Sequence, residues 1–253
     1  MHAGKRHPNG FTMNSYKAHG IVLHTIKYGD SSLVAYILTD AIGRQTYMVQ
    51  GVKSAKGKGN KSALLQPMFL LEFEGLPSTR SQMDRMKDIR LEQPLQSVPF
   101  DVRKSTISLF MAEVLYKLVR ETEQDTQLFD FVHDSVIALD HMDSGIANFH
   151  LWFMVQLSAF LGFYPANSYT EGDIFDIAEG SFTGRMPEHA LVLNRPNAAL
   201  LGALMECETD RLGEIAISRG QRNDFLASLL HYFGYHLDAV HKVQSLRILG
   251  EVF

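Results

Sequence analysis

A cluster of lysines near residue 55 is the feature whose residue type and spacing most directly indicate a chemistry. It holds four lysines within nine residues and no acid: Lys53, Lys56, Lys58 and Lys61. Gly57 and Gly59 lie among them and allow the backbone to approach a ligand closely. Ammonium groups on such a segment neutralise phosphates and release condensed counterions without specific base contacts. This lysine loop (residues 53–61) therefore predicts binding to the backbone of a nucleic acid.

Other residues near the lysine loop could extend the same surface. Arg44 and Lys27 lie near predicted strand ends and add positive charge. Four aromatic residues could stack on unpaired bases or fill a protein interior: Tyr28, Tyr36, Tyr47 and Phe69. For each ring the interior is the favoured interpretation, except that Tyr47 lies closest in sequence to the loop and is predicted to contact nucleic acid.

Motifs for other chemistries are missing or poorly spaced. The sequence has no G-x-x-x-x-G-K-[ST], G-x-G-x-x-G, G-x-S-x-G or H-E-x-x-H. Cys207 lies between two glutamates, which raise rather than lower a thiol pKa. Four acids could hold Mg²⁺ in a nuclease, but are better explained as a solvated loop: Glu171, Asp173, Asp176 and Glu179. We expect no enzyme activity, no metal site and no cofactor.

Charge is distributed unevenly along the 253 residues. Residues 1–90 contain 13 Lys and Arg against 6 Asp and Glu, a net charge of +7. Residues 91–253 carry a net charge of −11, so the whole chain is at −4. This asymmetry predicts a polyanion-binding part joined to an acidic part. A solvated basic face that binds nothing is an equally simple explanation of the charge alone.

The elements that must position the lysine loop are predicted to be strands. Between Tyr16 and about Leu91, five short segments show β-branched runs or period-2 alternation: residues 21–23, 33–38, 46–52, 69–73 and 83–91. Asp40-Ala41-Ile42-Gly43 is typical of a hairpin connection. Five short strands in about 75 residues predict a small closed barrel.

The second part of the chain is predicted to be helical. Apolar residues recur with a 3.6-residue period in segments 107–119, 128–139, 149–163, 196–206 and 226–240. The stretch between Tyr164 and Asn194 is irregular, which predicts an ordered insertion or surface excursion. We therefore expect an α+β protein with a flexible extension over 1–15, a barrel over 16–95, and a helical domain over 96–253 with the insertion at about 164–195. No membrane span is evident.

The order of several short motifs resembles the N-terminal domain of the RecO family of bacterial recombination mediators. The motifs are Gly20-Ile21-Val22-Leu23, Tyr28-Gly29-Asp30-Ser31-Ser32, Leu38-Thr39-Asp40, Gly43, Gly51-Val52, the lysine loop and Leu65-Gln66-Pro67. The resemblance covers about residues 18–75, and the helical remainder fits in length and layout. The end of the chain, from Arg222 through Tyr232 to Leu249, is similar more loosely.

The resemblance implies an OB-fold followed by a helical domain, located in the cytoplasm and associated with the nucleoid. It also implies binding of single- and double-stranded DNA, annealing of complementary strands, and assistance in loading RecA onto DNA coated by single-strand binding protein (SSB). The implied partners are RecR, the SSB C-terminal tail and in some settings RecF. Three arginines are candidates for the tail pocket: Arg120, Arg219 and Arg222.

One departure from the family concerns zinc. Many members hold zinc with four cysteines in the second half, whereas residues 164–194 here contain none. Zinc is therefore not expected, and Phe175, Ile177, Phe182 and Leu191 are predicted to stabilise that segment by packing. The alternatives that stay open are an OB-fold RNA-binding module, a metal-dependent nuclease and a structural scaffold.

Overall fold

Strands in the first part of the chain form a closed barrel. The computed structural model describes residues 15–52, 61–78, 81, 83–119, 123–189 and 191–253. The barrel strands are β1 (Tyr16–Tyr28), β2 (Ser32–Thr39), β3 (Gly43–Gln50), β4 (Leu70–Leu76) and β5 (Asp84–Leu91). Their order around the barrel is β1-β2-β3-β5-β4. The prediction of a small five-stranded barrel is confirmed.

Neighbouring barrel strands are antiparallel, except that β3 and β5 run parallel where the barrel closes. The closing contact is short and joins Tyr47 and Met48 to Asp84 and Arg85. Alternate apolar residues of the strands fill the interior, including Val22, Ala35, Ile37, Val49, Leu71 and Phe73. Their period-2 spacing explains why the sequence pattern predicted strands.

A single helical turn, α1 (Lys61–Leu64), precedes β4 and was not predicted. The five helices that the 3.6-residue period predicts are present as α2 (Val102–Leu118), α3 (Thr126–His141), α4 (Ile146–Phe160), α5 (Arg195–Glu206) and α6 (Arg219–His236). A further short helix, α7 (Leu246–Val252), was not predicted. Short 3₁₀ segments cover Thr209–Glu214 and Asp238–Lys242. The late helix ends at His236 rather than continuing through Val240, which lies in the second 3₁₀ segment.

The chain divides into two compact units. The first joins the barrel, up to Gln96, with residues Ala112–Ile137, which include the last turns of α2 and most of α3. The second comprises Ser97–Met111 and Ala138–Phe253. None of the described helices combines the length and the apolar character that a bilayer crossing requires.

The second unit is built around α4. Phe149, Leu151 and Phe153 are completely buried, as the nearly all-apolar sequence of this helix predicts. Helices α5 and α6 pack against α4. Side-chain caps fix where these two helices begin: Asn194 Oδ1 accepts from the Asn197 N–H over 3.0 Å, and α6 has a capping box at its start.

The irregular segment between Tyr164 and Asn194 is an ordered part of the second unit. It contains a small sheet, in the order β7-β6-β8, formed by β6 (Ile174–Asp176), β7 (Ser181–Thr183) and β8 (Val192–Leu193). Phe175, Ile177 and Phe182 are buried, and Leu191 is half-buried. The Phe175 ring meets those of Phe182 and Tyr232 edge-on, both over 5.1 Å between centroids. Aromatic packing of this kind stabilises the segment.

Candidate nucleic-acid interface

Val52, which precedes the lysine loop, and Lys61, its last residue, lie at the same end of the barrel. The Val52 N–H donates to the Ser31 carbonyl over 3.0 Å, and Lys61 Nζ donates to the Gln50 carbonyl over 3.3 Å. Ser31 belongs to the turn between β1 and β2, and Gln50 is the last residue of β3. We call this region, the β1–β2 turn with residues 50–52 and Lys61, the loop end of the barrel. Three lysines of the loop lie outside the described residues: Lys53, Lys56 and Lys58.

Two more cations are exposed near the loop end. Lys27 is the penultimate residue of β1, as the sequence predicted for a cation near a strand end. Arg85 was not singled out from the sequence, yet it is exposed and lies opposite Met48 across the barrel closure. Only the β3–β5 pairing places Arg85 here, and that pairing leaves no local signal in the sequence. The exposed Asp30 in the turn offsets part of this charge.

A bulge in β1 decides which side chains face outward near the loop end. Val22 lies opposite Ile37, but the next paired residue, His24, lies opposite Tyr36, so Leu23 is the extra residue. Such an insertion inverts the facing of all residues that follow it. Even-numbered β1 residues therefore face the core before the bulge and face outward after it. We call the resulting outward set the outer row of β1, and it consists of His24, Ile26 and Tyr28.

The outer row is accessible along its length. His24 is exposed, and the exposed fractions of Ile26 and Tyr28 are 43% and 57%. Large apolar side chains on a strand are normally covered, so the exposure of Ile26 and Tyr28 makes the outer row a candidate contact surface. The sequence suggested Tyr28 as one possible stacking ring, but the row cannot be recognised without the bulge.

Arg44 lies at the opposite end of the barrel. It is the second residue of β3, six residues before Gln50, and is therefore about 20 Å from the loop end. Its Nη1 donates to the Tyr116 carbonyl over 2.7 Å and also to the Val119 carbonyl, at the C-terminal end of α2. The prediction that Arg44 extends the cationic surface of the lysine loop is wrong, because its guanidinium satisfies carbonyls that the helix end leaves open.

Aromatic rings surround the Arg44 guanidinium. Its Cζ lies 4.7 Å from the Tyr116 ring centroid and 5.5 Å from that of Tyr36. The His24 ring lies 4.5 Å from that of Tyr116. Burial lowers the pKa of His24, and the nearby Arg44 charge lowers it further. His24 therefore presents a neutral ring at pH 7. The ring packs against Tyr116 at the end of the outer row nearest the bulge.

Tyr47 fills the interior of the barrel. Its side chain is 0% exposed, its hydroxyl shares a 2.7 Å hydrogen bond with that of Tyr16, and its ring meets Phe73 edge-on. Burial raises the pKa of Tyr47 and raises that of Tyr16 to about 12. The prediction of a nucleic-acid contact at Tyr47 is wrong, because no face of the ring is open to a base. Its closeness in sequence to the lysine loop is misleading, since successive strand residues face opposite sides.

The candidate partner arginines have different environments. Arg222 is only 9% exposed, and its guanidinium donates to Asn148 Oδ1, the Ile217 carbonyl and the Phe253 carbonyl. Burial lowers the pKa of Arg222. The prediction that it binds a partner is wrong, because its donors are used inside the second unit. Arg219 is exposed and donates to the Gly250 and Glu251 carbonyls. Arg120 lies outside the described residues.

Two of the four acids proposed for a nuclease, Asp173 and Asp176, support turns. Asp176 is buried, and its Oδ1 accepts from the N–H groups of Ala178 and Glu179 over 2.9 and 3.1 Å. Asp173 Oδ2 accepts from the Thr170 N–H over 3.0 Å. Within the described ranges, no three His, Cys, Asp or Glu side chains converge closely enough to hold a metal ion. The turn hydrogen bonds give Asp173 and Asp176 a structural role.

Comparison with known proteins accounts for both parts of the chain. Residues 13–95 match the family model Recombination protein O N terminal, and residues 99–245 match Recombination protein O C terminal. The chain belongs to the RecO family. The RecO match confirms the resemblance seen in the order of the sequence motifs, and it extends that resemblance through the helices.

Individual RecO proteins are similar over almost their whole length. The DNA repair protein RecO of Bacteroides fragilis is 36% identical over 239 residues, which cover 94% of this chain and 98% of the relative. That of Flavobacterium psychrophilum is 34% identical over 238 residues, with 94% and 98% coverage. That of Porphyromonas gingivalis is 30% identical over 237 residues, with 92% and 97% coverage. The chain is thus a member of a family of DNA repair proteins.

Proposed function

We propose that this RecO protein is a non-enzymatic recombination mediator that binds single-stranded DNA at the loop end of its barrel. The observation that carries the proposal is the anchoring of Val52 to Ser31 and of Lys61 to Gln50. Val52 and Lys61 flank the other three lysines in the sequence, and both lie at the end of the barrel that carries Lys27 and Tyr28. Membership of a DNA repair family supports DNA as the polyanion.

Annealing follows from the same chemistry. Two complementary strands repel each other through their phosphates, and lysines that replace condensed counterions screen that repulsion. Phosphate contacts leave the base edges free to pair. Such a surface accelerates annealing without a reactive group, so no catalytic residue is needed.

The proposal extends to protein partners. The protein assists RecA loading on SSB-coated strands, in the cytoplasm and at the nucleoid, and it contacts RecR, the acidic SSB tail and in some settings RecF. The acidic second part of the chain, at −11 over residues 91–253, suits protein contacts better than phosphate contacts. Arg219 remains a candidate for the tail, since it is exposed.

The test is DNA binding as a function of salt concentration. The parent is compared with a variant in which Lys53, Lys56, Lys58 and Lys61 are all changed to Ala, using a fluorescent single strand. Each phosphate contact contributes about 0.7 to the slope of log K against log[salt]. The variant is expected to bind more weakly and to flatten that slope by about 3. Lys17→Ala, at the far end of β1, is the control and should change the slope little.

Further measurements on the same protein distinguish the remaining alternative functions. Absence of parent binding at low salt contradicts the proposal and leaves a scaffold. Tighter binding to RNA than to DNA of the same sequence favours the RNA-binding module. Cleavage of DNA that requires Mg²⁺ and is lost on Asp173→Ala with Asp176→Ala favours the nuclease.

A further inference from the structure

The segment between Tyr164 and Asn194 contains no cysteine, although the family resemblance implies a zinc site in the second half of many members. The single cysteine of the chain, Cys207, lies outside the segment. Its thiol donates to the Glu208 carbonyl over 3.2 Å, and burial raises the pKa of Cys207. The thiol is therefore a poor source of the thiolate that zinc binds.

The other donor groups of the segment are bonded to the protein itself. His189 Nδ1 accepts from the Leu191 N–H over 3.3 Å, so the ring proton is on Nε2, which lies 3.4 Å from Asp176 Oδ2. Neither ring nitrogen then offers a lone pair to a metal ion. Asp176 also accepts from two backbone N–H groups, and Asp173 accepts from one. The donor set of the described residues does not fit zinc.

Aromatic rings occupy the centre of the segment. The Phe175 ring is 0% exposed and meets the rings of Phe182 and Tyr232 edge-on, each with 5.1 Å between centroids. The Tyr169 ring joins the cluster through Phe182, with 5.7 Å between centroids. Tyr232 meets Phe163 edge-on, and its hydroxyl donates to the Phe163 carbonyl. We call these five rings the aromatic brace.

The aromatic brace connects the segment to three helices of the second unit. Tyr232 belongs to α6, and Phe163 follows the end of α4. Tyr169 packs so closely on α5 that a Cβ added to Gly202 would lie 2.4 Å from the Tyr169 Cβ. A structural zinc ion stabilises a small domain by linking separate stretches of chain in the same way. The segment therefore has the cross-links of a metal centre without its ligands.

An asparagine closes the segment on itself. Asn167 Oδ1 accepts from the Phe182 N–H over 2.7 Å, and Asn167 Nδ2 donates to the Phe182 carbonyl over 3.0 Å. We call this pair of bonds the Asn167 clamp. Beside it, the Ala166 N–H donates to the Gly180 carbonyl over 2.8 Å. Both backbone polar groups of Phe182 are thereby satisfied by protein groups, as a buried strand requires.

We propose that the aromatic brace and the Asn167 clamp hold the second unit together in place of a metal ion, so that this RecO protein folds and stays folded in the presence of chelators. The inference goes beyond the proposed function and does not depend on it. Every residue of the brace and of the clamp belongs to the second unit, whereas the loop end belongs to the barrel of the first.

The first experiment uses the parent protein alone. Protein purified without added metal is analysed for zinc and is then heated with and without EDTA. We expect far less than one zinc ion per chain and the same thermal unfolding midpoint in both buffers. Amide hydrogen exchange at Ile177 and Phe182, whose N–H groups are bonded to Leu191 and Asn167, should also be unchanged by EDTA.

Variants test whether the aromatic brace stabilises the protein. Phe175→Ala should lower the unfolding midpoint by about 6 to 20 °C, the range for removal of a buried phenylalanine ring from a unit of this size. Phe175→Leu keeps most of the apolar volume and should lower the midpoint by less, so it replaces Phe175→Ala if that variant does not fold. Tyr232→Phe, which loses only the hydroxyl bond, should lower it by about 2 to 4 °C.

Phe100→Ala is the matched control. Phe100 also belongs to the second unit, but it is 83% exposed, so its removal should leave the unfolding midpoint unchanged. None of these variants should become sensitive to EDTA, because the residues that they change do not position metal ligands.

Two outcomes overturn the proposal. Stoichiometric zinc together with an unfolding midpoint that falls in EDTA shows that a metal site stabilises the protein. Phe175→Ala and Phe175→Leu proteins with the midpoint of the parent show that the brace does not. Zinc that EDTA removes without changing the midpoint or the hydrogen exchange supports the proposal, because such zinc is not structural.

Discussion

The two ends of the barrel contain the same kinds of side chain and use them differently. Arg44 at one end is close to the rings of Tyr36 and Tyr116, and its guanidinium is hydrogen-bonded to the end of α2. Lys27 and Tyr28 at the loop end are exposed. The sequence alone therefore does not tell whether a cation near an aromatic ring is structural or is available to a ligand. What decides its role is whether the fold brings backbone acceptors to it.

The glycines of the two hairpins offer the sharpest test of this difference. Gly29 in the β1–β2 turn has φ +63° and open space where a Cβ would lie, whereas Gly43 has φ +70° and its Cβ would lie 2.0 Å from the Glu123 carbonyl oxygen. Gly29→Ala should cost about 1 kcal/mol, the conformational penalty alone. Gly43→Ala should cost about 3 kcal/mol or more, because backbone must also move.

Urea unfolding of the two glycine variants measures the difference. Equal losses of unfolding free energy would contradict the difference between the crowded Gly43 and the open space at Gly29. DNA binding by the folded Gly29→Ala protein is a useful second measurement. Because the added Cβ lies in open space, the DNA affinity should not change.

Arg44 gives the next largest effect. Arg44→Met removes charge-assisted hydrogen bonds to two carbonyls while keeping an apolar stem between the rings, so we expect a loss of about 2 kcal/mol of unfolding free energy. Arg44→Lys should recover part of it, because an ammonium cannot match the planar fork. The slope of log K against log[salt] for DNA should not change.

Lys61→Ala is the matched variant at the loop end. It should flatten the DNA-binding slope by about 0.7 with little change in unfolding free energy. A flattened slope for Arg44→Met would mean that Arg44 contacts phosphates after all and that the two ends do not differ.

The regular parts of this fold could be predicted because their signals are local. The β2 run and the 3.6-residue period of α2 each depend on a few neighbouring residues, and both predictions are confirmed. The short sheet that contains Phe175 could not be predicted, because its two- and three-residue strands carry too little pattern. The packing of its aromatic residues could be, since large apolar residues in an irregular segment need burial.

The predictions about the candidate site also divide into those with local signals and those that depend on distant residues. A cationic loop end stays a prediction from charge spacing, to which the structure adds that Lys61 is hydrogen-bonded to Gln50 and that Lys27 is exposed. Arg44 and Tyr47 could not be placed from the sequence, because their partners are distant along the chain and strand facing depends on register. The outer row of β1 depends on a single inserted residue, Leu23, which no composition or period reveals.

A change at Tyr47 compares the barrel interior with the loop end, and its expected effect is smaller. Tyr47→Phe removes its hydrogen bond to the Tyr16 hydroxyl, so we expect a loss of about 1 kcal/mol of unfolding free energy. DNA affinity should be unchanged, since the ring stays in the interior. A folded Tyr47→Phe protein with weakened DNA binding would show that the barrel interior and the loop end are coupled.

The smallest effect concerns His24, which lies where the outer row meets the Arg44 cluster. Its pKa is below the ordinary value of a histidine because of burial and the Arg44 charge, with Lys117 lowering it and Glu113 raising it. Below a pH of about 6.5 the unfolded chain binds a proton there more readily than the folded protein does. His24 therefore contributes stability near pH 7.5 that is lost as the pH falls through 6.5.

His24→Phe keeps a ring against Tyr116 and removes the titration. The variant should lose less unfolding free energy than the parent between pH 7.5 and pH 5.5, by a fraction of a kcal/mol, because the site is partly exposed. Urea unfolding at the two pH values measures this. A pH dependence in the variant equal to that of the parent would show that His24 is not the group that titrates.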